Sequence, residues 1–322
     1  MESMWCRLSN FKQLLICSIL LLFDFPDKES STSVVIFLPL SLLTAMLNAL
    51  VIMTIWKDPF KNLKGIPKYL ILNLAVSDLL IGIPAELLYA LFHWYPYECV
   101  GQVAYMTLHL GFCASGLTIL GLAAERLILI SYPFKSANYL TYANLTRGIL
   151  CIWIFAGLRA ILPLFKSASI EKNGIVISDT LGIPTVSLTV ACYTRIFFLV
   201  RKGLHGHLTT EAGCDERQRL TENAREREKI KGRERSVMRC VAILSGLLIV
   251  LWTPVIVVGN IAHFRGKRGV VLDAAYSLIY LHPVANPITY SLCSRKFRLA
   301  LWKIIRKTVQ QCATNMRRYL KH

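Results

Sequence analysis

Residues 117–134 read LTILGLAAERLILISYPF, an apolar run broken by one acid–arginine pair, Glu125-Arg126. The pair lies near one end of a longer apolar run, about 100–130, and six comparable runs accompany it: about 34–56, 69–93, 148–166, 178–201, 237–262 and 271–293. About 20 apolar residues suffice to cross a bilayer as a helix. Hydrocarbon offers the backbone no hydrogen-bond partner, so each run is expected to satisfy its own N–H and C=O groups as an α-helix. The predicted fold is an all-α membrane protein, a bundle of seven transmembrane helices. Composition agrees: 54% of the 322 residues are hydrophobic and the mean hydropathy is +0.48, above the range of ordinary soluble domains.

The net charge of +18 raises the question of nucleic acid, and the placement of the charge answers it. Of the 37 Lys and Arg residues, 28 fall in alternate loops and the C-terminal tail, around 57–68, 126–147, 195–239 and beyond 294. This is the asymmetry of the positive-inside rule. The basicity reads as membrane topology, and no nucleic-acid partner is expected. Seven spans put the termini on opposite sides, so the basic C-terminus is expected in the cytoplasm and the N-terminus outside, with the chain multi-pass in the plasma membrane.

The chain divides accordingly. Residues 1–33 form an extracellular arm or a signal sequence. Leu14 to Phe23 has the apolar core of a signal peptide, following Arg7 and Lys12, but no clear cleavage site comes after it. Residues 34–293 form the helical domain, and within it 202–236 is a charged loop whose mixed acid–base text suits a solvated helix. Residues 294–322 begin with RKFRLALWKIIRK, an amphipathic interfacial helix that should contact membrane lipids. Cys312 follows and is a candidate for lipidation or a free cytosolic thiol. The sequon at Asn144 falls on the cytoplasmic side, where no glycosylation is expected.

Each polar residue inside such a span is a functional candidate. Asp78 sits in LNLAVSDLLIG (72–82), Trp252 and Pro254 in LWTP, and Asn286, Pro287 and Tyr290 in LHPVANPITYSL (281–292). On these residues the chain resembles the rhodopsin-like (class A) G-protein-coupled receptors from end to end. Asn48 fits the first span, with Leu47 where glycine is common. Leu74, Ala75 and Asp78 fit the second. Glu125-Arg126 fits the third-span pair, with Leu127 following it instead of tyrosine. Trp153 fits the fourth span. In the sixth, Trp252 and Pro254 fit, with Leu251 replacing cysteine. Asn286-Pro287-Ile288-Thr289-Tyr290 completes the seventh, and Phe297 fits the helix beyond. A weaker resemblance, through a loop lacking cysteine, is to the melanocortin, lipid, cannabinoid and adenosine branch.

The resemblance implies a receptor that binds an extracellular ligand and activates a heterotrimeric G protein by movement of its sixth helix. Asp78, Ser115 and Asn286 would then converge on an allosteric sodium ion or, alternatively, on a water-bridged polar cluster. Arg126 would pair with Glu125 and with Glu234, while Tyr193 and Tyr290 would swing towards it on activation. Pro254 and Pro287 would kink their helices, since proline removes a backbone donor. Arg126 and Phe134 would meet the G protein. With only Thr308 and Thr314 as phosphate acceptors after residue 307, arrestin engagement should be weak.

Departures from the family bear on the ligand, which is expected to be a small molecule, lipid or peptide. Leu108 stands where amine receptors carry aspartate, and Tyr280 where opsins carry the retinal lysine, so neither a typical biogenic amine nor retinal fits. Candidate pocket residues are Glu86, His109, Phe112, Arg159, His263, Tyr276 and Tyr280. Arg159 is a cation within the fourth span, suited to an anionic ligand group or to pairing with Glu86 or Glu98. No cysteine occurs in 166–178, so no bridge to the second extracellular loop is expected, and Cys99 pairs with Cys6 or Cys17 or stays reduced. An enzyme is not expected: HExxH, GxSxG and a glycine-rich phosphate loop are all missing, and no cofactor is implied. A non-signalling decoy or scaffold receptor is the alternative, motivated by Leu127, Leu248 and the missing bridge.

Overall fold

A computed structural model describes residues 31–59, 65–88, 98–132, 135–161, 182–199, 219–265 and 278–319. The described residues are almost entirely helical. In chain order the helices are α1 (Ser31–Lys57), α2 (Ile66–Leu80, prolonged by a wider π-type turn over Ile81–Glu86), α3 (Glu98–Ser131), α4 (Tyr142–Ile161), α5 (Gly182–Leu199), α6 (Arg219–Arg265), α7 (His282–Cys293) and α8 (Arg295–Tyr319). One helical turn, Ser136–Tyr139, lies between α3 and α4. Six of these helices, α1 to α6, contain segments long and apolar enough to cross a membrane. The seventh apolar run, 271–293, is described only from residue 278.

Helix limits follow local chemistry. The backbone N–H of Asn144 donates to Thr141 Oγ1 at 3.2 Å, capping α4 well before its apolar run begins. α6 starts far ahead of its apolar run, because the charged stretch from Arg219 is itself helical. α8 runs to Tyr319, about twice the length expected from RKFRLALWKIIRK; the text beyond Lys307 contains neither glycine nor proline, so nothing in it stops a helix. In α2 the backbone leaves helical geometry at Ile83, just before Pro84, which cannot donate into the helix.

Helices in lipid gain nothing from burying apolar surface against each other as such, so close packing and polar ties hold the bundle. Gly82 and Gly111 allow the closest approaches. A Cβ at Gly82 would lie 2.9 Å from Thr44 Cγ2, and one at Gly111 would lie 2.5 Å from Ile81 Cγ1. Two apolar layers result. One joins Leu74, Ile119, Leu122, Leu244, Leu248 and Tyr290; the other joins Ile81, Phe112, Val255, Ile279 and Tyr280. Trp252 packs against both. Large apolar side chains such as Leu42, Leu158, Phe198 and Val250 stay exposed on the outer surface, as a lipid-facing surface requires.

Candidate functional site

Three helices deliver polar side chains to one point between the layers. Asp78 on α2 is wholly buried. Ser115 on α3 donates from Oγ to Asp78 Oδ1 at 2.8 Å, and Asn286 on α7 donates from Nδ2 to Asp78 Oδ2 at 2.7 Å. The three residues singled out in the sequence therefore meet. A buried charge needs such partners, because desolvation without them is costly. Asn286 Oδ1 is buried with no hydrogen-bond partner, so one acceptor remains at the centre of this group.

The same level of the bundle carries a tie that the sequence did not reveal. Pro287 has no N–H, which orphans the carbonyl of Pro283 one turn earlier. Asn48 Nδ2 donates to that carbonyl at 3.0 Å and to its own helix at Thr44 O at 2.9 Å. Asn48 thus replaces the donor lost at Pro287 and fastens α1 to α7. A second relay joins α4, α2 and α3: Trp153 Nε1 donates to Asn73 Oδ1 at 2.8 Å, and Asn73 Nδ2 donates to Thr118 Oγ1 at 2.7 Å. Trp153 was legible as a motif residue, whereas Asn73 and Thr118 were not. Polar residues lodged in apolar runs are the signal that points to both.

Near the C-terminal end of α3, Arg126 and Glu125 form a buried ion pair. Arg126 Nε lies 2.6 Å from Glu125 Oε2, and Nη2 donates to Oε1 at 2.9 Å. The first contact is an ion pair outside hydrogen-bond geometry and the second a charge-assisted hydrogen bond. Tyr193 on α5 packs against the adjoining layer, facing Ser245 on α6 and within electrostatic reach of Arg126. Tyr290 is buried with its hydroxyl unpartnered, and its ring meets Phe297 edge-on at 6.1 Å. Ser236 on α6 donates to the carbonyl of Cys293 at 2.6 Å, tying the start of α6's apolar segment to the C-terminal end of α7 on the Arg126 side. Glu234 lies on α6, but its side chain is outside the described residues, so the expected pairing with Arg126 has no geometry here.

At the opposite end Trp252 anchors an aromatic chain. Phe112 meets it at 5.9 Å and nearly perpendicular, Tyr280 meets Phe112 at 6.0 Å, and His282 meets Trp252 at 6.3 Å. Pro254 follows Trp252 inside α6. Polar atoms here are orphaned rather than paired. The carboxylate oxygens of Glu86, both ring nitrogens of His282 and Trp252 Nε1 are buried without hydrogen bonds. The Thr44 hydroxyl faces Glu86, with no hydrogen bond formed.

Arg159 is buried on α4 and lies within electrostatic reach of His109 and Cys113 on α3. Glu86 makes no hydrogen bond and no ion pair joins it to Arg159, while the other acid expected for that pairing, Glu98, has its side chain outside the described residues. His109 packs on Tyr105 at 4.1 Å. Tyr276 and Phe134 lie outside the described residues, as do the side chains of Cys99, Glu98, His263 and Cys312 on their helices. Among the described residues no group of three or more His, Cys, Asp or Glu is placed to hold a metal ion.

A membrane-spanning helical bundle with a buried acid–arginine pair, a tryptophan–proline pivot and a polar centre shared by three helices has the build of a seven-helix receptor. The family model for the 7 transmembrane receptor (rhodopsin family) matches residues 47–290, and the chain belongs to that family. It is therefore a multi-pass membrane protein of a receptor family and not of an enzyme family. Among curated proteins it is similar to the alpha-1A adrenergic receptor of Oryctolagus cuniculus, 25% identical over 288 residues that span 76% of this chain and 62% of that one. It is likewise similar to the neuromedin-U receptor 2 of Rattus norvegicus, 25% identical over 299 residues, covering 84% of this chain and 74% of that receptor. The match thus spans about three fifths of the length of the adrenergic relatives.

Proposed function

We propose that this chain is a G-protein-coupled receptor of the plasma membrane, with its N-terminus outside and α8 in the cytoplasm. It binds a ligand at the Trp252 end of the bundle and activates a heterotrimeric G protein at the Arg126 end. The observation that carries this reading is the buried Glu125–Arg126 pair beside Tyr193 and the Ser236–Cys293 tie. The Ser236–Cys293 hydrogen bond holds α6 to α7, and the pair within α3 keeps the Arg126 guanidinium occupied, which together define one closed arrangement. A ligand that binds a second arrangement more tightly shifts the population towards it, by as much as its differential affinity allows. The pivot is Trp252 with Pro254, where α6 lacks a backbone donor. Glu234 supplies a further acid on α6 for the closed state.

The ligand reading rests on the upper cluster. Leu108 packs among Ile81, Phe112, Val255 and Tyr280, so α3 offers an ammonium group no carboxylate at that position, and the adrenergic relatives' named ligand class is not carried over. Glu86, His282 and Trp252 Nε1 instead provide unmet hydrogen-bonding capacity beside the Phe112–Tyr280 aromatic pair. Such a mixture suits a largely apolar small molecule, lipid or peptide side chain with a few polar groups.

Asp78, Ser115 and Asn286 have the chemistry of a sodium site: one carboxylate, one hydroxyl oxygen and one amide oxygen without a partner. A sodium ion there would supply positive charge to the buried carboxylate and favour the closed arrangement.

The test is basal signalling in cells carrying a panel of G-protein activation sensors, with surface expression measured for every variant. One sensor should respond to the wild type, rise several-fold with Glu125→Gln or Glu234→Ala, and fall to background with Arg126→Ala. Silence of all variants at full surface expression would overturn this reading in favour of a non-signalling receptor.

A further inference from the structure

Where α8 leaves α7 the bundle has a groove that none of the proposed signalling machinery uses. Leu47, Leu50 and Val51 of α1 form one wall, Ile288 and Leu292 of α7 another, and Leu301 of α8 lies across its end. The groove holds about 150 Å³ and is almost wholly apolar. It opens outwards, since Leu292 is 72% and Ile288 46% exposed. In a membrane-spanning chain that surface faces hydrocarbon, and an empty apolar hollow there forfeits dispersion contacts along its lining.

The groove has a charged rim. α7 ends at Cys293 and the chain turns through extended Ser294, leaving terminal carbonyls without helical donors. Arg298, on the first turn of α8, folds back over them. Its Nη1 donates to Ser291 O at 2.9 Å and to Leu292 O at 2.6 Å. Ser291 and Leu292 both line the groove, so the guanidinium is fixed at its edge. Arg298 is exposed, and Nη2 and Nε remain to meet an acceptor from the bilayer. A guanidinium held in this way presents the fork that recognises phosphate.

The rest of α8 supplies the electrostatic setting. Over Arg295–Tyr319 it carries Arg295, Lys296, Arg298, Lys303, Arg306, Lys307, Arg317 and Arg318, and no Asp or Glu. At ~100° per residue, Trp302, Val309 and Met316 fall on one stripe, and all three are exposed. Phe297, Ala300 and Ile304 are buried against the bundle. The helix therefore presents an apolar stripe towards lipid and cations along its flanks, the pattern of an element lying on an anionic bilayer surface.

We propose that this junction is a phospholipid site: one acyl chain of an anionic phospholipid, from the leaflet on which α8 lies, fills the groove, and its phosphate is bound by Arg298. The basic flanks of α8 favour an anionic over a zwitterionic headgroup. The site goes beyond the signalling reading and stands without it, because it requires only that the chain spans a membrane with α8 at the interface.

The experiment uses the full chain in lipid nanodiscs of phosphatidylcholine doped with a phospholipid bearing a photoreactive group on one acyl chain. The probe is either phosphatidylserine or phosphatidylcholine with identical chains, and labelled peptides are mapped. Phosphatidylserine should label residues 47–51 and 288–301 about five-fold more than phosphatidylcholine, the factor that one favourable cation contributes at an anionic surface. Leu292→Trp, which fills the groove and keeps Arg298, should abolish labelling of these peptides by both probes. Arg298→Gln should erase the preference for phosphatidylserine while leaving the groove able to accept a chain; circular dichroism and the thermal midpoint report whether α8 and the bundle remain folded. Equal labelling of the wild type by the two probes, labelling that survives Leu292→Trp, or displacement of the phosphatidylserine probe by a sterol would each overturn the proposal.

Discussion

Asp78 and Glu86 are two buried carboxylates on the same helix, about two turns apart, and their surroundings differ completely. Asp78 accepts hydrogen bonds from α3 and α7, so three helices share one carboxyl group. Glu86 sits beyond the break at Pro84 with neither oxygen hydrogen-bonded. At Asp78 the helices are thus assembled around a carboxylate that found donors, and at Glu86 around one that did not. Satisfied polar networks fix one packing arrangement. Unsatisfied groups cost free energy in the closed state and leave capacity for something that binds. The proposed division between a switch near Arg126 and a ligand-responsive end near Trp252 would follow from which carboxylate found donors.

The largest effect that would test this contrast comes from Arg126→Ala. It leaves Glu125 buried and unpaired, and breaking a buried pair in this way costs about 3–5 kcal/mol. The purified variant in detergent should melt well below the wild type, and a midpoint unchanged by the substitution would show that Glu125 is not dependent on Arg126.

Next comes the comparison of the two carboxylates themselves. Asn286→Ala removes a donor from Asp78 and should destabilise by about 1–3 kcal/mol. Glu86→Gln removes a carboxylate that has no donor to lose, so the midpoint should hold or rise. Equal losses at the two positions would mean that Glu86 is paired in solution and would dissolve the distinction.

The Asn48 tie offers a sharper test through a double-mutant cycle. Asn48→Ala should cost about 1–3 kcal/mol, because the Pro283 carbonyl loses its substitute donor. In a Pro287→Ala background the restored backbone N–H can reach that carbonyl, and the cost of Asn48→Ala should shrink by about 1 kcal/mol. Additive effects in thermal unfolding would show that the two residues are not coupled through that carbonyl.

The smallest expected effect is ionic. Sodium chloride should raise the midpoint over an equal concentration of N-methylglucamine chloride by a few degrees through mass action on the folded state. Asp78→Asn should remove that difference, and Glu86→Gln should leave it in place. A sodium effect that persists in Asp78→Asn would move the ion elsewhere.

Much of this architecture was readable from the chain. Apolar runs of membrane length fix helices, because hydrocarbon leaves the backbone no alternative. The residues that stand out within those runs, Asp78, Arg126, Trp252, Asn286 and Pro287, are conspicuous because polar or helix-breaking residues are rare there. Ser115 was also anticipated as a partner of Asp78, and the two meet. The sequence left open the outcomes that depend on which of several near neighbours a side chain reaches. Of the two acids offered for Arg159, Glu86 makes no hydrogen bond, and the side chain of Glu98 lies outside the described residues. Asn73, Thr118 and His282 gave no strong signal because single polar residues of moderate cost occur throughout such helices. The length of α8 was underestimated because amphipathic periodicity weakens after Lys307, while helix propensity does not.

What the sequence alone determined is the set of helices, the asymmetry of charge between alternate loops and the identity of the residues that are expensive to bury, since each follows from the local chemistry of a chain in lipid. What only the tertiary structure decided is how those expensive groups are partnered. Asn48 reaches a carbonyl that Pro287 orphaned, Asp78 collects two donors from other helices, and Glu86 collects none. Those outcomes turn on hydrogen-bond distances of about 3 Å between helices remote in sequence, and such distances are set by the crossing and spacing of helices that no local pattern encodes.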